Sequence, residues 1–353
     1  DVARCLALLG MVSTHVLAAA TPEGEISWTQ DLAGGRAAAL FAVLAGVSLA
    51  LLSGRRTPPT GRARLMAVRA LGVRALLIAA LGLTLGMLDS GLAVILTYYG
   101  VMFLLALPFV GLGARSLAVL AAAWLVVVPV LSHQLRPSLP EARGDNAAWG
   151  QLADPLPMLS ELLLTGYYPA LPWLAYLFAG MAVGRSDLAR RTVQAGLLVG
   201  GVVLAVGATR VSDVLTADRF SAQELEESGF GMFGITPADG SADYLLLVAP
   251  HSSTPFDLAQ TIGSSLAVIG GCLLLLSVLP PAGVRFMAVL FGAGTMTLTL
   301  YSLHVWMRTD GVWPPEEEWA MSWYVVILGV IGGAFAAARV RGPLEAMVSR
   351  IAR

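Results

Sequence analysis

Ten stretches of this chain run for roughly 20 mainly apolar residues each, the length a helix needs to cross a hydrocarbon layer. They cover roughly 1–20, 36–52, 66–88, 92–112, 116–133, 158–183, 192–211, 257–279, 286–307 and 322–338. Composition agrees, since the 353 residues are 57% apolar and 13% charged, whereas soluble domains carry about a quarter charged residues. The expected fold is an all-α polytopic membrane protein of about ten transmembrane helices, built as a single transmembrane domain over 1–353. The sixth span is expected to be broken, because it holds Pro169 and Pro172. A net charge of −1 without a basic stripe excludes nucleic acid as a partner. The chain opens at Asp1 without an initiator Met and reads as lacking a short upstream piece.

Every basic residue is Arg, which excludes a lysine base or Schiff base. With the N-terminus in the cytoplasm, the even-numbered connections and the tail hold Arg55, Arg56, Arg62, Arg64, Arg115, Arg185, Arg190, Arg191, Arg285, Arg339, Arg341, Arg350 and Arg353. Only two acids, Asp187 and Glu345, lie beside them, while the opposite side is rich in acids. Positive charge is retained inside, so both termini are expected to be cytoplasmic. Two connections, 134–157 and 212–256, are then long extracytoplasmic loops, and 342–353 is an amphipathic cytoplasmic tail lying along the headgroups.

Ionisable side chains inside spans are costly and are functional candidates by default. Arg4 and His15 are eleven residues apart in the first span, so they share one helix face about 16 Å apart along the axis. Arg4 lies at the inner end and His15 in the outer half. That suits an anionic cosubstrate entering from the cytoplasm and an acceptor waiting outside, with a snorkelling Arg and a core His as the plain alternative. The ninth span brings His304 to a similar depth. Arg69 and Arg74 of the third span, with Arg62 and Arg64, offer guanidinium groups to phosphates. Tyr98, Tyr99, Tyr168, Trp173, His251 and Asp257 sit near the outer ends of spans or in the loop before one. They form a candidate acceptor pocket, against the alternative of an interfacial aromatic belt. Neither Cys5 nor Cys272 has metal-ligand neighbours, and no phosphate loop or metal-binding spacing occurs, so no metal is expected. Glycines 292, 294, 332 and 333 read as close helix packing.

Asp1-x-x-Arg4 followed by ten residues and His15 resembles the Arg-x10-His signature of the acyltransferase-3 membrane family. The wider stretch with Gly10 and Met11 is similar to the start of the heparan-alpha-glucosaminide N-acetyltransferase catalytic domain and its bacterial relatives. Tyr168-Pro-Ala-Leu-Pro-Trp173, Gly294-Thr-Met-Thr-Leu-Thr-Leu-Tyr301 and Gly342-Pro343-Leu344-Glu345 fit the bacterial branch. The resemblance implies a multi-pass cell-membrane acyltransferase that takes acetyl-CoA from the cytoplasm and acetylates an extracytoplasmic glycan or small-molecule acceptor. It maps a catalytic base onto His15, with His304 beside it, and the coenzyme end onto Arg4, Arg69 and Arg74. Cys5 stands where these families carry Gly. The lysosomal members place their catalytic His after the first span, whereas here no His lies between His15 and His133, so the role of His15 follows the acyltransferase-3 pattern. Two rivals stay open: a transporter or lipid-handling protein without covalent chemistry, and a scaffold. A homodimer is compatible with either account.

Overall fold

The structure is a computed structural model, and it describes residues 1–233, 235, 240–314 and 319–352. Of the expected loop 212–256 and tail 342–353, residues 234, 236–239 and 353 lie outside the described residues. Fifteen α-helices follow one another: α1 (Val2–Val16), α2 (Trp28–Ala33), α3 (Arg36–Leu52), α4 (Gly61–Leu85), α5 (Leu96–Ala106), α6 (Ala114–Leu135), α7 (Pro155–Ser160), α8 (Ala170–Arg185), α9 (Arg191–Thr216), α10 (Ala222–Gly229), α11 (Pro255–Val278), α12 (Pro281–Leu290), α13 (Thr297–Met307), α14 (Ala320–Ala338) and α15 (Pro343–Ile351). Among the described residues there is no strand, only an isolated bridge between Ala20 and Ile26.

Among the described residues, six helical stretches are long and apolar enough to cross a membrane: Trp28–Leu52, Gly61–Leu85, Ala114–Ser138, Arg191–Thr216, Pro255–Val278 and Ala320–Ala338. The chain is a multi-pass membrane protein. The expected sixth span is a bent pair, Pro155–Thr165 and Ala170–Arg185, turned by 48°. Its break falls at Gly166-Tyr167-Tyr168-Pro169, where Pro169 lacks the N–H that a continuous helix would use. The first and fourth expected spans are shorter helices, Val2–Val16 and Leu96–Phe109.

The ninth expected span, 286–307, is not one helix. It comprises the end of α12, a 3-10 turn at Gly292–Thr295, and α13. The glycines explain the break. A Cβ on Gly294 would collide with the Asp1 carbonyl group, and one on Gly292 with the carbonyl of Gly332. The turn therefore lets the start of α1 and the middle of α14 approach its backbone directly.

The core centres on α8, whose Trp173, Tyr176 and Phe178 are fully buried. Gly46 and Gly180 let α3 and α8 cross backbone to backbone, since a Cβ on either would overlap the other helix's carbonyls. By contrast α9 exposes Val199, Val203, Val206 and Val214, as a lipid-facing helix does. Connections gather in two sets. Arg185 joins the first: its Nη1 donates to the carbonyls of Ala50, Ser53 and Arg55, and its Nη2 to Val110 O and Ser53 Oγ. In the second set, Asn146 bridges Leu92 O and Val94 N–H, and Trp149 Nε1 donates to Thr84 Oγ1.

Arg185 thus ties the 53–60 and 107–113 connections to the end of α8 through five hydrogen bonds. Arg185→Leu would strand those carbonyls and is expected to cost on the order of 3 kcal/mol of stability. The melting midpoint of the detergent-solubilised protein should fall by several degrees. Arg185→Lys should fall between, because an ammonium cannot span the same fork of acceptors.

Candidate functional site

His15 occupies the last turn of α1, and His304 the last turn of α13. Their rings lie parallel, 1° apart in orientation with centroids 5.4 Å apart, and His15 Nδ1 is 3.1 Å from His304 Nε2. One ring therefore donates to the other. His304 is fully buried, whereas His15 is partly exposed. Tyr324 of α14 meets His304 edge-on at 5.0 Å and fixes its plane. The sequence expectation that both imidazoles reach one depth matches this contact.

At the other end of α1, Arg4 Nη1 pairs with the Asp1 carboxylate at 3.0 Å, and its Nη2 donates to Ser48 Oγ at 2.6 Å. Arg4 and Ser48 line a cavity of about 490 Å³ with Arg74, Arg341, Glu345, Tyr99 and Tyr301. Three guanidinium groups from α1, α4 and the α14–α15 link thus face one space, of a size typical for small-molecule sites. Arg69 is exposed and does not line this cavity, and Arg64 instead donates to Pro108 O. Of the expected cluster Arg62, Arg64, Arg69 and Arg74, only Arg74 lines this cavity, and its companions are Arg4 and Arg341, which lies 267 positions beyond Arg74 and gave no local signal.

Two phenols line this cavity. Tyr301 Oη accepts from Ile95 N–H at 3.2 Å, and Tyr99 Oη–H donates to Ala38 O at 3.4 Å. Tyr98, the next residue along, faces a different space. It lines a second cavity of about 680 Å³ with Asp89, Asp145, Asn146, Glu161 and Tyr167. Sequence reasoning missed Glu161, although a carboxylate within an apolar run is a signal in itself. Neither His15 nor His304 lines either cavity.

The other candidate acceptor residues are packed rather than open. Trp173 Nε1 donates to Ser253 Oγ at 3.1 Å, and Asp257 accepts from Ser253 N–H at 3.0 Å. Thr254 Oγ1 accepts from Asp257 N–H, so Thr254 and Asp257 together cap the start of α11. His251 stacks parallel to Trp173 with centroids 6.2 Å apart and touches Tyr167 and Tyr168. Both His251 and Ser253 adopt left-handed backbone conformations, φ 61° and 57°, a strained arrangement held by this dense packing. Among the described residues, no three His, Cys, Asp or Glu side chains gather to hold a metal ion.

The sequence profile of the family described as heparan-alpha-glucosaminide N-acetyltransferase, catalytic, matches residues 1–205. That match spans α1 to the middle of α9 and so includes Arg4, His15, Arg74, Tyr98, Tyr99, Tyr168 and Trp173. His251, Asp257 and His304 lie beyond it. No curated protein matches the chain.

Burial, helped by nearby His15, pushes the His251 pKa down to about 3 from 6.5. The folded protein then binds fewer protons than the unfolded chain between those values. Its contribution to stability is complete above about pH 6.5 and is lost progressively as pH falls towards 3. The melting midpoint should drop between pH 7 and pH 4.5, and His251→Phe should flatten that drop. Parallel pH profiles for the two proteins would show that His251 contributes nothing to acid lability.

Proposed function

The chain belongs to the heparan-alpha-glucosaminide N-acetyltransferase catalytic family, and from that premise we propose that it moves an acetyl group from cytoplasmic acetyl-CoA to an extracytoplasmic sugar or glycan. The observation that carries this reading is the placement, on the single helix α1, of Arg4 in the cationic cavity and of His15 against His304. In this reading the chain crosses the bilayer ten times with both termini cytoplasmic, and the cationic cavity opens to the cytoplasm. Arg4 and Arg74, joined by Arg341, hold the coenzyme's phosphates. Their chemistry fits, because three guanidinium groups line that cavity with one carboxylate, Glu345, while a second, Asp1, pairs with Arg4 alone.

The coenzyme supplies an activated thioester carbonyl. His15 Nε2 takes the proton of the acceptor's hydroxyl or amine as that oxygen or nitrogen bonds to the acetyl carbon. The carbon–sulfur bond breaks, and the proton passes to the departing thiolate. His304 sets the tautomer: when its Nε2 accepts the Nδ1 proton of His15, the basic lone pair is left on His15 Nε2. The acceptor is first held in the 680 Å³ cavity, which His15 does not line but whose carboxylates and phenols suit a hydroxyl-rich ligand, and moves from there to His15. Trp173, Tyr168, His251 and Asp257 act behind it as a rigid wall.

A second reading, a lipid-handling protein without covalent chemistry, has one observation in its favour. An apolar cavity of about 590 Å³ lies among α6, α8, α9 and α11, with Arg115 and Ser186 also lining it.

Transfer from labelled acetyl-CoA separates the two. The wild type should release free thiol only when an acceptor is present, and His15→Ala should lose roughly 10²-fold or more in rate. Full transfer by His15→Ala would remove the catalytic assignment, and no thiol release under any condition would favour the lipid-handling reading. Arg74→Leu should raise KM for acetyl-CoA about tenfold with kcat little changed, as loss of a binding contact does.

A further inference from the structure

Apart from Glu345's place in the cationic cavity, the motif Gly342-Pro343-Leu344-Glu345 has no part in the reading above, and the structure gives it a specific task. Helix α13 starts directly after the 3-10 turn, and its preceding residue, Met296, offers no capping side chain. The cap comes from elsewhere. Glu345 Oε1, on α15, accepts from Leu298 N–H at 2.8 Å and from Thr299 N–H at 3.2 Å, while its Oε2 accepts from Thr299 Oγ1–H at 2.6 Å. Thr299 Oγ1 in turn accepts from Leu344 N–H at 3.1 Å. A carboxylate at this end also opposes the positive end of the helix dipole.

Position 342 admits only Gly without displacement, because a Cβ there would fall 2.6 Å from Met296 Cβ and 2.9 Å from Thr299 Oγ1. The tail's backbone at Gly342 therefore packs directly against the side chains of Met296 and Thr299 at the start of α13. His304 sits seven residues beyond Thr297, about 10 Å along the helix, and Tyr301 lies between them. Any slip of the start of α13 is carried along this short rigid rod to the imidazole that meets His15.

We propose that Glu345 is a positioning residue for acetyl transfer: it pins the start of α13 and thereby sets the register at which His304 meets His15. The proposal rests on the reading of His15 and His304 as the transfer site. Glu345 also lines the cationic cavity, so its two possible effects have opposite signatures. Removing a carboxylate from beside Arg4, Arg74 and Arg341 leaves the affinity for an anionic donor unchanged or tighter, whereas losing the register of His304 lowers kcat.

The test uses the full chain in lipid nanodiscs, with Glu345→Ala, Glu345→Gln, Gly342→Ala and, as a control on the exposed side of the same helix, Arg350→Ala. Two quantities are measured: hydrogen–deuterium exchange of the peptide covering 297–307, and KM and kcat for acetyl-CoA with an acceptor. Glu345→Ala and Gly342→Ala should each speed exchange in 297–307 by about tenfold or more, with exchange in α3 and α8 unchanged. Glu345→Gln, which keeps an acceptor oxygen, should restore most of the protection, and Arg350→Ala should match the wild type. In Glu345→Ala kcat should fall about tenfold or more without a rise in KM. Unchanged exchange in 297–307, an equal rise in every helix, or a raised KM with full kcat would each overturn the proposal. If exchange responds as expected but the wild type turns over no acetyl-CoA, the pinning of α13 stands, while its link to transfer falls together with the acyltransferase reading.

Discussion

A helix that ends within a hydrocarbon layer exposes N–H and C=O groups to a medium with no water to satisfy them, so an interrupted span survives only where other parts of the chain supply the partners. This protein interrupts its helices repeatedly, and several of the interruptions are met from a distance. Glu345 serves the start of α13 from 46 and 47 positions further on. Arg185 serves the end of α3 and the turn after α5. Ser253 and Asp257 close the start of α11 and are locked onto Trp173 of α8. The candidate site lies among these satisfied ends, because breaks are where a bundle of apolar helices can present polar groups at depth.

Much of the fold could be read in advance because hydropathy is a local property. The runs at 66–88, 116–133, 192–211, 257–279 and 322–338 correspond to long apolar helices, and Pro169 marked the bend before α8. The run at 286–307 misled, because its average hydropathy hides two glycines whose meaning depends on Asp1 and Gly332, far away in sequence. The same distinction governs the site. Arg4, Arg74, His15 and His304 stood out as lone polar groups in apolar runs, and the structure brings Arg4 with Arg74 and His15 with His304. Arg341 and Glu345 looked like ordinary members of a charged tail, since only the fold of α15 back onto α13 gives them a cavity to line. Trp173, His251 and Asp257 lie close together, yet proximity alone does not distinguish a lined opening from a packed wall.

The matched family region and the remainder of the chain contribute different things to this arrangement. Residues 1–205 bring Arg4, His15 and Arg74, together with the α3–α8 crossing that forms the core. The later helices bring His304, Tyr301 and Glu345, which orient and enclose what the first part supplies. The cationic cavity is likewise assembled from both, with Arg4 and Arg74 on one wall and Tyr301, Arg341 and Glu345 on the other.

The contact between His15 and His304 joins residues 289 positions apart. During synthesis the first helix is already in place long before its imidazole partner leaves the ribosome. The imidazole pair therefore comes into being only as the bundle closes, so a nascent or truncated chain holds one ring of it without the other.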